Sequence, residues 1–149
     1  MFALELAIRY IHFISIFILV SSLAIELVLI KSSMTKKELL LMSRVDAVYG
    51  ISSILVVAAG LTLWFGVGKP AHYYSDNHLF ITKVVLVGLL GILSIKPTIF
   101  FLKNRKKKDD SGEEMVVVPT SVKRFVYAEI LVVVLIPLFA VLMARGVGL

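Results

Sequence analysis

The sequence predicts an all-α integral membrane protein, a bundle of four transmembrane helices with its N- and C-termini on the periplasmic side. Three observations carry that prediction. The first is composition. Of 149 residues, 59% are hydrophobic and only 17% are charged, and the mean hydropathy is +0.97. A soluble domain of this length carries more charge, so the apolar surplus must face lipid. The second is length. A bilayer core of about 30 Å needs about 20 helical residues, and four stretches meet that need: about 4–30, 45–67, 79–102 and 125–143. The third is the placement of Lys and Arg, which sets orientation.

The first span opens Met-Phe-Ala-Leu-Glu, with an acid at Glu5 and no basic flank. It is expected to be a retained anchor rather than a cleaved signal. Its polar residues Glu5, Arg9, His12, Ser15, Ser22 and Glu26 fall within an arc of about 140° on a helical wheel, and only Ser21 lies opposite. Lipid rejects such a stripe, so it is expected to face protein or a hydrated cavity.

The second span places Asp46, Gly50, Ser53, Gly60 and Trp64 on one face. The small residues in its middle predict close approach by another helix. The third span sets Lys83, Gly91, Ser94 and Thr98 along one face, with Lys96 elsewhere. The fourth carries Glu129 near its start and Pro137 within it, where a kink is expected. Valine and isoleucine runs do not point to a barrel, because barrel strands alternate apolar with polar residues.

The connection before the second span holds Lys31, Lys36, Lys37 and Arg44. The third connection, the loop at 103–121 and the residues just after it, holds Lys103, Arg105, Lys106, Lys107, Lys108, Lys123 and Arg124. The remaining connection holds Lys69 alone. Both basic connections are therefore expected to be cytoplasmic, and the membrane to be the bacterial inner membrane. The formal charge of +6 follows from these helix ends and does not indicate nucleic acid. Met115–Val118 is apolar and expected to lie on the membrane interface. The absence of cysteine excludes disulfides, thiolate metal sites and cysteine nucleophiles. No catalytic triad, paired catalytic carboxylates or phosphate loop is present.

Depth sorts the polar residues into two layers. Glu5, Arg9, His12, Trp64 and Lys83 are expected to share an outer pocket roofed by Tyr73, Tyr74 and Asn77. Glu26, Arg44, Asp46, Lys96 and Glu129 belong to the inner boundary, with Tyr49 in the same turns of the second span. Acid–base pairing is expected there.

Several segments together resemble a known family. They are Arg44-Val-Asp-Ala-Val-Tyr-Gly50, Gly68-Lys-Pro-Ala-His-Tyr-Tyr74, Phe80-Ile-Thr-Lys83, Leu93-Ser-Ile-Lys-Pro-Thr98 and Met143-Ala-Arg-Gly146. The chain resembles the bacterial membrane family catalogued as domain of unknown function 2214, over all but the 103–121 connection. More distantly it is similar to the four-helix membrane protoporphyrinogen IX oxidases and the copper-resistance D-type proteins. That likeness implies a haem or porphyrin cofactor, with His12 as the ligand to iron and Lys83 supporting the site. The third span offers Ser94, Lys96 and Pro97 where transmembrane b-type cytochromes place a second histidine. A five-coordinate haem, an unligated porphyrin or a site shared between protomers stays open.

The leading expectation is a protein that binds a haem-, porphyrin- or quinone-like amphiphile, with His12 as ligand or hydrogen-bonding group. Lys83 and Arg9 would hold its anionic edge, and Trp64 and Tyr74 would pack on its plane. The alternatives are a proton-linked transporter or channel working as a homo-oligomer, and a structural or partner-binding subunit.

Overall fold

The computed structural model describes residues 2–107 and 111–147. Four long helices form the body: α1 (Phe2–Leu29), α2 (Lys36–Thr62), α4 (His78–Asn104) and α5 (Thr120–Ala144). Between them lie a short strand β1 (Ser33–Thr35), a short helix α3 (Ala71–Ser75) and a second strand β2 (Met115–Val117). A π-helical turn at Leu63–Val67 extends α2. Residues Lys108, Asp109 and Asp110 of the expected 103–121 loop lie outside the described residues.

All four long helices have the length and composition to cross a membrane. At most 28% of each apolar window is buried inside the fold, so most of that surface needs an apolar solvent. Ile54 is 70% exposed and Leu131 is 63% exposed, for example. Water would penalise such faces, and lipid accommodates them.

Helix α2 begins nine residues before the apolar stretch that revealed it. Its first turn is fixed by a capping box: Thr35 accepts from the Glu38 amide, and the Glu38 side chain accepts from the Thr35 amide. That reciprocal pair satisfies two otherwise orphaned donors. The Lys36–Arg44 segment is therefore helical although it is polar. α5 likewise starts early, at Thr120 directly after Pro119.

Met115–Val117 forms a strand, which periodicity did not indicate. It pairs antiparallel with Ser33–Thr35, with Met34 opposite Val116. Val118 follows and is buried with Met34, Leu39, Met42, Phe101 and Val122. The ion pairs Lys31–Glu38 (2.6 Å) and Lys36–Glu114 (2.5 Å) lie at this sheet end of the bundle.

At the opposite end, Asn77 caps α4 by accepting from the Leu79 and Phe80 amides. Its side-chain amide also donates to the Val147 carbonyl at 3.2 Å. The last described residue thus sits beside α3. The midsection packs Leu19 and Leu23 of α1, Tyr49 of α2, Leu90 of α4 and Val126, Val132 and Val133 of α5. Contacts are densest within the α1–α2 and α4–α5 hairpins and sparser between them. Pro97 and Pro137 both lie inside continuous helices, where each removes one backbone donor.

Candidate functional site

Two groups of polar side chains lie along α1. His12 and Glu26 are fourteen residues apart, which separates them by about 21 Å along the axis. Ser15 and Ser22 between them are buried, as is Glu26 itself, whereas Ser21 is exposed, so the stripe turns inward.

The first group occupies the α3 end. His12 Nδ1 lies 3.0 Å from the Val56 carbonyl oxygen of α2. A carbonyl only accepts, so Nδ1 carries the hydrogen, and the neutral ring keeps its lone pair on Nε2. Gly60 makes room for this ring: a Cβ there would stand 3.3 Å from His12 Cε1. By contrast, nothing lies within 4 Å of a Cβ at Gly50 or Gly91. The expected small-residue face of α2 is therefore tight at Gly60 and open at Gly50.

Lys83 lies within electrostatic reach of His12, and its Nζ stands 4.9 Å from the centre of the Phe80 ring. Phe80 is the hub of an aromatic cluster. Trp64 meets it edge-on at 4.8 Å, and Tyr74 tilts against it at 5.2 Å. The Trp64 indole also stacks on Phe65 at 4.3 Å and donates to Ser75 Oγ at 3.2 Å. Arg9 is bound to Glu5 at 2.7 Å and lies near Tyr74. The structure thus brings together all five residues read as an amphiphile site, with Arg9 already paired. Asn77 caps α4 at this same end.

The second group lies nearer the sheet end. Glu26, Asp46, Tyr49 and Glu129 are each no more than 4% exposed. They come from α1, α2 and α5. Tyr49 lies within electrostatic reach of Glu129, Glu26 and Asp46. Asp46 accepts a hydrogen bond from Thr98 Oγ1 of α4 at 2.8 Å. Glu26 Oε1, Glu129 Oε1 and the Tyr49 hydroxyl have no closed hydrogen bond. The expected bases do not join this group. Arg44 is exposed and pairs with no acid among the described residues. Lys96 is exposed too, with its Nζ 5.2 Å from the centre of the Phe125 ring. Both cations are exposed, so neither supplies a countercharge inside the acid group.

Among the described residues, no group of three or more His, Cys, Asp or Glu is arranged to hold a metal ion. Thr98 and Phe80 join these groups without being among the expected site residues. Thr98 had a signal, since it shares a helix face with Lys83. Phe80 had none, because one phenylalanine in an apolar helix is indistinguishable from core.

Four apolar spans enclosing buried polar groups define a multi-pass membrane protein. The model of the family described as "Predicted membrane protein (DUF2214)" matches residues 4–148, and the chain belongs to that family. No curated protein and no solved structure matches it.

Proposed function

We propose that the bundle binds a flat, ring-bearing amphiphile at the α3 end, of the haem, porphyrin or quinone class. The observation that carries this reading is the His12–Val56 hydrogen bond of 3.0 Å. It fixes the ring and leaves Nε2 as the nitrogen able to ligate a metal or accept a hydrogen bond. Lys83 supplies a cation beside it, while Trp64, Phe80 and Tyr74 supply aromatic surface. Arg9 reaches an anionic edge only by sharing or releasing Glu5.

If the group is a haem, His12 would be the residue to hold its iron, through Nε2, the nitrogen that the Val56 carbonyl leaves unengaged. His72 and His78, the other histidines, are exposed at α3 and the start of α4. A five-coordinate haem, an unligated porphyrin and a quinone share the chemistry of a planar ring with an acceptor-rich edge. Such a group would supply electron-transfer or light-absorbing chemistry, and His12 and Lys83 would orient it. We also propose, from the Lys and Arg distribution, that the sheet end is cytoplasmic in a bacterial inner membrane.

Trp64 is the single tryptophan, so its fluorescence reports on this site alone. Titrating the detergent-purified protein with haemin, protoporphyrin or a short-chain quinone should give saturable, stoichiometric quenching by one of them. His12→Ala and Lys83→Ala should each weaken it at least tenfold. A haem ligated by His12 would also show a Soret shift that His12→Ala removes. Quenching that never saturates with any of the three would overturn the reading.

A further inference from the structure

We infer that Glu26, Asp46 and Glu129, with Tyr49 among them, form an exchangeable proton-binding site within the membrane, separate from the amphiphile site. The three carboxyls converge from three helices, and each residue is no more than 4% exposed. Every element packed around them offers its polar groups to view. α1 gives Glu26, α2 gives Asp46 and Tyr49, α4 gives Thr98 and α5 gives Glu129. None of these carries a positive charge. The nearby cations Arg44, Lys96 and Arg124 are exposed.

A buried carboxylate without a countercharge is strongly disfavoured, and three together compound the penalty by mutual repulsion. Two occupants relieve it: a metal cation or protons. The carboxyls do not assemble into a metal-holding group. Protons satisfy the geometry, because a protonated carboxyl becomes a donor. Glu26 Oε1, Glu129 Oε1 and Tyr49 Oη close no hydrogen bond as they stand, although Tyr49 and Glu129 are close enough to interact; a proton on a carboxyl supplies the donor that a small shift of these side chains would engage. Tyr49 is 3% exposed and lies within electrostatic reach of all three acids, so its hydroxyl is placed to exchange hydrogen bonds with them. Thr98 donates to Asp46 Oδ1, which makes Asp46 the carboxyl best supported as an anion. Glu26 and Glu129 are then the proton carriers.

Proton exchange requires the seam between the α1–α2 and α4–α5 hairpins to admit water, since Glu26 and Glu129 lie on opposite sides of it. That seam is also where packing between the long helices is sparsest.

Infrared spectroscopy of the full chain in lipid at neutral pH tests the inference. The wild type should show carbonyl bands of protonated carboxyls. Glu26→Gln and Glu129→Gln should each remove one band, and Asp46→Asn should shift the remainder. Transfer to deuterium oxide should move the bands within minutes. No protonated band at neutral pH, or bands that survive both glutamine variants, would refute the assignment. Bands that never exchange would mark a purely structural pair and equally defeat it. Loss of the bands on adding sodium or potassium would make this an alkali-cation site instead. Tyr49→Phe keeps the packing, and should slow exchange while leaving both bands in place. If both glutamine variants fail to fold, the exchange of the wild-type bands and its response to Tyr49→Phe still decide the matter. Trp64 quenching is read separately, so either proposal can fail alone.

Discussion

At the scale of single residues, the polar groups divide by whether a partner is within reach. His12 has the Val56 carbonyl, Arg9 has Glu5 and Asp46 has Thr98. Gly60 belongs to this scale because its missing side chain is what admits the imidazole. Gly60→Leu should destabilise the bundle by about 1–3 kcal/mol through overpacking and detach His12 from Val56. Gly50→Ala meets open space and should instead add about 0.5–1 kcal/mol from helix propensity. Reversible unfolding in mixed detergent measures both. Much of the residue-scale picture was legible beforehand. The spacing of Glu5, Arg9, His12, Ser22 and Glu26 along one helix suffices to predict an inward stripe. Spacing did not predict which acids lack bases. Arg44 shares its first turns with Asp46, but helical geometry turns its side chain to another face, and proximity in sequence is not proximity in space.

At the scale of elements, hydropathy located the helices and misjudged their ends. A window that seeks lipid-compatible residues stops where charge begins, whereas a helix stops where its backbone donors and acceptors find other partners. The first turns of α2 illustrate the difference: they are polar, and Thr35 and Glu38 hold them in place. Thr35→Ala should cost about 1 kcal/mol and fray the segment before Arg44, which hydrogen exchange at the Lys37 and Glu38 amides would register. The β1–β2 ladder was not legible at all. Its strands are three residues each, and they pair across an intervening stretch from Thr35 to Met115. No periodicity in so short a segment distinguishes a strand from a loop.

At the scale of the whole molecule, the even number of spans places both described ends of the chain at the α3 end, where Val147 meets Asn77. The proposed orientation is directly measurable. The sequence has no cysteine, so single substitutions at the exposed positions Ala71 and Ser111 give a clean background for labelling in intact cells. Ala71→Cys should react with an impermeant maleimide from outside, and Ser111→Cys only after the membrane is opened. The reverse pattern would invert the topology.

The division of labour between the hairpins also bears on how the protein is made. α1 and α2 precede α4 and α5 in the chain, so Glu26 and Asp46 are synthesised before Thr98 and Glu129. Until the second hairpin docks, the half-built chain exposes two acids to lipid or to whatever escorts it there. Closure of the seam is thus the step that turns an unwelcome membrane intermediate into a finished protein.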